Sequence, residues 1–254
     1  MEPSESVQTE VKITYRHCRT HEDFRACQEI DHLVWSDHEL EVPITLYVVA
    51  VETGGQVLGA FEGERMVGFT FALPGFRDGR VYMHSHMTGV LAEARNRGVG
   101  RGLKLFQRAD ALERGIDLVE WTFDPLEIKN AYFNVMRLGA VVRRLIPNCY
   151  GVTGSPLHGG LPTDRLVAEW ELRSKRVERC LRGESPVASI RPDAVRITVP
   201  KTIAELKLSD PAVARNEQSR VREEFQQWFG RGYSVVALET EGEQACYVLE
   251  PGQG

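Results

Sequence analysis

VLAEARNRGVGRGLKL, residues 90–105, joins a strand-like run to a helical pattern through a glycine-rich turn. An apolar run from Tyr82 to Val90 precedes the turn. The helical pattern after it consists of apolar residues three positions apart: Leu103, Phe106, Ala109 and Leu112. The first amides of a helix have no partner within the helix and lie at the positive end of its dipole, and glycine lets the backbone approach an anion closely. Strand, turn and helix together predict a phosphate-binding site.

Positive charge is concentrated around the turn. Between positions 95 and 108 all charged residues are basic: Arg95, Arg97, Arg101, Lys104 and Arg108. Because the whole chain has a net charge of −5, this basic segment is a local feature, as a polyphosphate ligand requires. The segment lacks the Gly-Lys-Ser/Thr of a P-loop, and its alternating glycines do not fit a dinucleotide-binding turn. The remaining alternative is a glycine turn that starts an ordinary helix.

Composition favours a globular protein without a membrane span or a metal site. Apolar and charged residues make up 42% and 26% of the 254 residues, as in soluble domains. No apolar run is long enough for a membrane span, and the N-terminal MEPSESVQTE is unlike a signal peptide. The five cysteines are scattered without a C-x-x-C pair, so we expect a reduced, cytoplasmic protein that binds no metal. A pI of about 5.9 gives no support for a nucleic-acid partner.

Periodicity and capping patterns predict a mixed α/β (α+β) fold. The expected strands span residues 11–17, 56–61, 66–73, 81–90, 116–123, 141–150 and 165–172. Thr20 and Asp23 have the spacing of a helix cap, for a helix that extends to about Trp35. Residues 38–53 fit neither pattern, and Phe76–Gly79 should be a turn.

A second helix should follow the strand that ends at Phe123. Asp124 would cap it, and Pro125 and Glu127 suit its first turn. Its apolar face comprises Ile128, Ala131, Val135 and Leu138, and Gly139 should end it. Beyond the glycine-rich loop 151–163, the strand from Arg165 completes a first domain at about residue 172.

The C-terminal third is predicted to form an αβ appendage. Residues 173–193 are charge-rich and indicate a connector, and residues 194–254 contain a strand, a helix from Asp210-Pro211 and a hairpin. The helix carries an apolar face that includes Phe225 and Trp228. About sixty residues are marginal for independent folding, so we expect the appendage to pack on the first domain or on a second subunit. Packing on a second subunit would make the protein a homodimer, and both alternatives remain.

The turn Arg95-Asn96-Arg97-Gly98-Val99-Gly100 fits the pattern Arg/Gln-x-x-Gly-x-Gly/Ala and resembles motif A of the GNAT (Gcn5-related) N-acyltransferase superfamily. The pattern also fits from Arg97 to Gly102, but the earlier register leaves Arg101 onward for the helix. The predicted order of elements over residues 11–172 is similar to the GNAT fold. The resemblance implies a mixed, mostly antiparallel, twisted sheet that is flanked by helices and opened by a notch between its fourth and fifth strands.

The resemblance also implies an acyl-CoA donor whose contacts are made mainly by backbone. The pyrophosphate of coenzyme A would lie on the amides from Arg97 to Arg101. The contributing positions are Arg95, Asn96, Arg97, Gly98, Val99, Gly100 and Arg101. The backbone of Thr88, Gly89 and Val90 would hold the pantetheine and supply the oxyanion donor. Because amides make these contacts, the side chains at these positions are uninformative.

A tyrosine that is usual in the family is missing. The family pattern Tyr-x-x-x-Gly puts that residue four positions before Gly139, where this chain has Val135. Tyr132 and Tyr150 are the substitutes that could protonate the departing thiolate. A coenzyme A thiolate can also leave without a dedicated acid, since thiols are far more acidic than alcohols.

Histidines on the central strand are candidates for the general base. His84 and His86 are two residues apart and therefore lie on one face of the strand. Histidine has a suitable pKa near neutrality, and His86 is preferred because it is nearer to Gly89. Glu120 on the next strand is the alternative base. A structural role in a hydrogen bond is an equally good interpretation of either histidine.

Other polar residues could contact the donor or the acceptor. Asn130 and Asn134 share one face of the second helix, where Asn130 could bind the pantetheine, although a solvated face explains the pair equally well. Arg165, in Pro162-Thr163-Asp164-Arg165, could bind a substrate carboxylate or pair locally. The other histidines (His17, His21, His32, His38, His158) show no ligand spacing.

Five short sequence segments restrict the resemblance to a smaller group within the superfamily: SHM-x-GV (85–90), FDPL (123–126), NAYFN (130–134), LGA (138–140) and LPTDR (161–165). With the C-terminal extension, they resemble the long bacterial predicted acetyltransferases associated with N-succinylamino acid racemases. That group implies acetyl-CoA or succinyl-CoA as donor and a small-molecule amine, such as an amino acid, as acceptor. We therefore expect an N-acyltransferase that acts by direct transfer in a ternary complex. The alternatives are a non-catalytic acyl-CoA-binding protein and an interaction module.

Overall fold

A computed structural model describes residues 12–35, 41–151 and 160–252 of the chain. It divides into two compact units, the first comprising the chain up to Leu73 together with Met87–Asp110. The second comprises Pro74–His86 and the chain from Ala111 onward. Residues 11 and 38–40 and most of the loop 151–163, with His158, lie outside the described part. No helix of the described part is long and apolar enough to cross a membrane.

Within the described residues, the first unit contains four neighbouring strands and three α-helices. The elements that contribute to it are β1 (Ile13–His17), α1 (His21–Trp35), α2 (Ile44–Glu52), β2 (Gln56–Glu62), β3 (Arg65–Arg77), β4 (Arg80–Val90) and α3 (Val99–Glu113). The strands are ordered β1-β2-β3-β4, and β2 pairs antiparallel with both β1 and β3. One apolar cluster joins α1 and α2 to the strands around Tyr47 and Phe69, and a second surrounds Val99 and Leu103 of α3.

Helix α1 begins as its sequence predicts. The Thr20 hydroxyl accepts a hydrogen bond from the Asp23 amide (3.1 Å), and Asp23 accepts one from the Thr20 amide (3.2 Å), so the two residues form a reciprocal cap. Burial opposes ionisation of Asp23, but hydrogen bonds from Arg16 and from the amides of Arg19 and Thr20 lower its pKa to about 2. The ambiguous segment before β2 contains α2, whose Tyr47 and Ala50 are fully buried.

The second unit, in its described residues, is built on the C-terminal part of the sheet. Besides parts of β3 and β4, its elements are β5 (Leu118–Phe123), α4 (Ile128–Tyr132), β6 (Val141–Ile146), β7 (Arg165–Glu171), α5 (Lys175–Leu181), β8 (Val195–Pro200), α6 (Ile203–Ser209), α7 (Pro211–Gly230), β9 (Tyr233–Glu241) and β10 (Gln244–Pro251). The order is β4-β5-β7-β6-β9-β10-β8. β4 and β5 pair in parallel over two residue pairs, and the other pairings are antiparallel.

Four segments differ from the sequence-based expectations. Strand β3 continues to Arg77, so it includes the first two residues of the turn expected at Phe76–Gly79. The helix after β5 begins at Ile128 rather than beside Asp124, because the Asp124 carboxylate accepts the Leu126 amide (2.8 Å) in a local turn before the helix. Its second half, Phe133–Arg137, is a π-helix. Strand β6 ends at Ile146 instead of residue 150. The charged connector contains α5, which the Ser174 side chain caps at the Val177 amide (3.3 Å).

The C-terminal segment joins the second unit through strand pairing and helix packing. β9 pairs with β6 at Val235 and Val142. Helix α7 begins as predicted, with Asp210 accepting the Val213 amide (3.1 Å). Its Phe225 is fully buried against Tyr247 of β10 (ring centroids 5.1 Å), whereas Trp228 is half-buried and packs on Tyr233. Helix α7 thus packs on β6, β8 and β9 and beside α6, and its Phe225 also reaches Tyr247 of β10.

Candidate functional site

The glycine-rich turn of the first unit leads directly into α3. A short 3₁₀ turn, Ala92–Ala94, follows β4, and α3 starts at Val99. Asn96 and Gly98 have positive φ values of 61° and 79°, and the Gly98 carbonyl accepts the first helical bond from the Gly102 amide (2.9 Å). The first-turn amides of a 15-residue helix therefore point out of its start, which is an arrangement that binds anions.

Different structural constraints apply at the three glycines of the turn. A Cβ atom on Gly102 would overlap the Tyr15 ring of β1, so Gly102 is required by helix packing. A Cβ on Gly100 would meet only the Val90 side chain, at an ordinary 3.8 Å. Gly98 adopts the left-handed conformation that favours glycine. Positive φ at Gly98 and open space at Gly100 suit the earlier register of the motif better than the one ending at Gly102.

Several basic side chains of this segment are paired or buried in the structure. The Arg97 guanidinium donates to Glu62 of β2 (2.6 Å), and Arg95 Nε donates to the Val90 carbonyl (3.2 Å). Lys104 is buried, its Nζ donates to Gln107 (3.1 Å), and desolvation lowers its pKa to about 7. The expectation that Lys104 adds charge at the phosphate is therefore wrong, since it points into the protein. Sequence spacing revealed neither its burial nor the carboxylate of Glu62.

The end of β4 that leads into the turn has its side chains engaged in packing. Thr70 donates to the Met87 carbonyl (3.0 Å), so the 2.7 Å bond between the Thr70 and Thr88 hydroxyls has Thr88 as its donor. A Cβ on Gly89 would come within 3.1 Å of both Trp35 and Phe69. The close approach of these rings explains glycine at this position.

In the second unit, polar side chains of β4 and β5 share one face of the sheet. His84 is the register partner of Glu120, and the His84 and His86 rings lie 6.4 Å apart between centroids. The alternate residues Met83 and Ser85 are buried on the other face. His86 is exposed, yet the surrounding protein desolvates it enough to lower its pKa below the ordinary 6.5. Both histidines thus lie on one face, as their spacing predicts.

Glu120 is the most buried group of this polar face. It is 1% exposed and is held by two guanidinium groups, with Arg77 Nη1 at 3.0 Å from one oxygen and Arg144 Nη2 at 2.7 Å from the same oxygen. Both oxygens of Glu120 accept hydrogen bonds from guanidinium groups. These contacts make Glu120 part of an ion-pair network, and its role as the alternative base stays a prediction.

A bulge in β6 supplies one of these arginines. The β6–β7 register shifts between Val142 and Leu145, so the adjacent Arg143 and Arg144 both reach Glu169 of β7. The result is a ladder of alternating charges across the sheet: Arg77, Glu120, Arg144, Glu169, Arg143 and Glu171. Arg77 and Arg144 were not predicted from the sequence, because neither a bulge nor the register of a parallel pair has a local sequence signal.

Tyr150 lies beyond the end of β6, and its hydroxyl bonds to Thr122 of β5 (2.8 Å). Thr122 is two residues after Glu120 and so faces the same way. The Arg165 guanidinium lies 5.4 Å from the centre of the Tyr150 ring. Burial raises the phenol pKa, which keeps Tyr150 protonated over the physiological range, while the residue remains 40% exposed. It can therefore donate a proton to a bound molecule.

The helix after β5 has no tyrosine at the usual family position. Val135 is fully buried, and Tyr132 is on the surface with Arg137 beside its ring (5.7 Å). Asn130 is exposed, and its side-chain oxygen accepts a hydrogen bond from Nδ2 of Asn134 (3.2 Å). Of the two substitute tyrosines, Tyr150 is the one whose hydroxyl bonds to Thr122 on β5. In the described part of the chain, no three His, Cys, Asp or Glu residues are grouped to hold a metal ion.

Comparison with known proteins identifies the fold. The sequence matches no protein-family model and no curated protein. Among solved structures, it is similar to Salmonella typhimurium yncA, solved with its cofactor acetyl-CoA, with a TM-score of 0.53, 19% identity, and coverage of 64% of this chain and 95% of that one. A GNAT-family protein from Desulfovibrio desulfuricans gives a TM-score of 0.50 and 14% identity, with coverage of 63% and 99%.

FeeM, an N-acyl amino acid synthase from uncultured soil microbes, gives a TM-score of 0.51 and 11% identity, with coverage of 65% of this chain and 93% of that one. These structures cover about two-thirds of this chain and nearly all of their own length. The predicted GNAT fold, with a mostly antiparallel sheet, is therefore confirmed. The association with N-succinylamino acid racemases has no counterpart among these matches.

Proposed function

We propose that this chain, which has the fold of GNAT proteins, is an acyl-CoA-dependent N-acyltransferase. Its donor is acetyl-CoA or succinyl-CoA, and its acceptor is the amine of a small molecule such as an amino acid. The observation that carries the proposal is the turn before α3, where Gly98 has positive φ and Gly100 has open space at the anion-binding end of the helix. The cofactor acetyl-CoA of yncA supports an acyl-CoA donor, and FeeM, as an N-acyl amino acid synthase, supports an amino acid as acceptor.

The turn suits the pyrophosphate of coenzyme A. Amides from Arg97 to Arg101 would hold the phosphates, and Arg101 would add charge beyond that of the helix dipole. Arg97 contributes less, since Glu62 already pairs with it. The backbone of Thr88, Gly89 and Val90 would hold the pantetheine, and Asn130 is an exposed amide that could bind it as well. The donor supplies an activated acyl group as a thioester.

In this proposal, the base and the acid of the reaction are side chains on the polar face of the second unit. His86 has a lowered pKa and is therefore neutral at pH 7, as a base that takes the proton of an amine must be. Tyr150 has a raised pKa and stays protonated, as an acid that donates to a departing thiolate must be. Glu120 holds Arg77 and Arg144 in place. Because all five cysteines are free thiols, we also propose a reducing, cytoplasmic location.

A thiol-release screen tests this function. Acetyl-, succinyl- and longer acyl-CoAs are combined with amino acids and polyamines, and free coenzyme A thiol is measured with and without the amine. We expect amine-dependent release that is lost in Gly100→Asp. Binding of acyl-CoA without release in any combination would instead favour the non-catalytic acyl-CoA-binding protein, for which the buried Val135 at the usual tyrosine position is the specific argument.

A further inference from the structure

Tyr150 is held in place by a neighbouring loop. The Thr163 hydroxyl accepts the Tyr150 amide (2.8 Å) and donates to the Gly151 carbonyl (2.8 Å). The Thr163 carbonyl accepts the Cys149 amide (2.8 Å). One residue thus fixes the backbone on both sides of Tyr150, and Thr163 is itself 1% exposed.

The next residue of that loop connects it to the C-terminal segment. One oxygen of Asp164 accepts the Asn148 amide (2.9 Å), and the other accepts Nε of Arg222 on α7 (2.6 Å). The Asp164 side chain is completely buried, and that of Arg222 is 27% exposed. A buried carboxylate needs a counter-charge, and Arg222 is the cation that the structure places on it.

Helix α7 contacts the same loop at a second point. Gln218 Nε2 donates to the Pro162 carbonyl (2.7 Å). Gln218 and Arg222 are four residues apart and therefore share one face of α7. Val221 and Phe225 of the helix are fully buried, so packing fixes the rotation of α7 and with it the direction of both polar side chains.

We propose that α7 acts as a positioning element for Tyr150, with Arg222 as the positioning residue. Arg222 holds Asp164, the loop at Thr163 and Asp164 holds the backbone of residues 148–151, and this backbone directs the Tyr150 hydroxyl to Thr122. The consequence for activity rests on the proposed function, in which Tyr150 protonates the departing thiolate. The C-terminal segment is thereby part of the catalytic apparatus rather than an independent attachment.

The experiment measures the environment of the Tyr150 ring separately from the rate of thiol release. Tyrosine Cζ carbons are labelled with ¹³C, and the resonance that disappears in Tyr150→Phe is assigned to Tyr150. Its chemical shift and its titration are then compared in wild type, Arg222→Ala, Arg222→Lys and Arg215→Ala. Arg215 is an exposed arginine on the same helix and controls for loss of charge. The kcat and KM for thiol release are measured on the same proteins.

We expect Arg222→Ala to shift the Tyr150 resonance and to move its phenol pKa down towards 10, because a released ring gains solvent. The alkaline limb of kcat should then move to lower pH, and kcat should fall by about tenfold, with the KM for acyl-CoA changing less than twofold. Arg222→Lys should recover part of both effects, and Arg215→Ala should resemble wild type.

If Arg222→Ala does not fold, the double variant Arg222→Met with Asp164→Asn removes both charges and leaves no unpaired carboxylate. It should show the same displaced resonance. A Tyr150 resonance and titration that stay as in wild type in the folded variant would overturn the inference. If the resonance moves while Tyr150→Phe is fully active, the positioning stands and only the proposed acid role of Tyr150 fails.

Discussion

The turn before α3 and the polar face of β4 and β5 are built in opposite ways. The turn depends on backbone: positive φ at Gly98, open space at Gly100 and the first amides of one helix, all within six consecutive residues. The polar face depends on side chains from distant segments, since Glu120 needs Arg77 and Arg144, and Tyr150 needs Thr122. A backbone site is therefore visible in a short motif, whereas a side-chain site requires the register of the sheet.

The largest expected effect tests the side-chain half of this comparison. His86→Ala should lower the rate of transfer by about a hundred- to ten-thousandfold, the typical contribution of general base catalysis, with coenzyme A binding nearly unchanged. Since desolvation lowers the His86 pKa, the acidic limb of kcat/KM should lie below pH 6.5 and disappear in the variant. His84→Ala is the matched control. An unaltered limb and rate in His86→Ala would remove His86 from the mechanism.

The next largest effect tests the turn before α3, which is built from backbone. Gly100→Asp should weaken coenzyme A binding by roughly a hundred- to thousandfold, because two like charges about 4 Å apart near a surface repel by about 4 kcal/mol. The Gly100 position has room for the Cβ atom, so the protein should remain folded. Gly100→Asn has the same size without the charge and should bind much more tightly than Gly100→Asp. Calorimetry with equal affinities for both variants would argue against a phosphate at this turn.

A smaller effect separates a structural carboxylate from a catalytic one. Glu120→Gln should lower the free energy of unfolding by about 1–3 kcal/mol, because it leaves two guanidinium groups with a weaker acceptor. Glu171→Gln, in which the lost carboxylate is 54% exposed, should cost no more than about 1 kcal/mol. Unfolding in denaturant measures both. An unchanged stability in Glu120→Gln together with lost activity would support Glu120 as the base.

The smallest effect concerns the side chains of the turn. Arg97→Gln should weaken coenzyme A binding by less than about fivefold, because Arg97 already forms an exposed pair with Glu62 and exposed pairs contribute about 0–1 kcal/mol. Calorimetry at two salt concentrations measures it. A loss comparable to that of Gly100→Asp would mean that side-chain charge, rather than backbone, binds the phosphates.

The same contrast explains what the sequence allowed us to predict. The cap of α1 at Thr20 and Asp23, the turn at Gly98 and the start of α7 at Asp210 depend on neighbours within four residues, and the structure has all three. His84 and His86 lie on one face because the period of a strand is two.

Other features depended on partners that are distant in sequence. The buried Lys104 donates to Gln107, and Gln107 in turn donates to Gln56, which is 51 residues away. The helix after β5 starts late because Asp124 is engaged in a local turn and also faces Lys207 of α6 (3.5 Å). Arg77 and Arg144 reach Glu120 through a parallel register and a bulge, and Arg222 reaches Asp164 from 58 residues away. No local pattern specifies such contacts.

The measurement that tests the central claim most directly is a titration of ¹⁵N-labelled protein with coenzyme A, followed by the backbone amide resonances. If the turn binds the pyrophosphate through its backbone, the largest shifts should be at the amides from Arg97 to Arg101, followed by Thr88–Val90, and they should vanish in Gly100→Asp. Large shifts elsewhere, with the amides from Arg97 to Arg101 unmoved at saturation, would contradict the account.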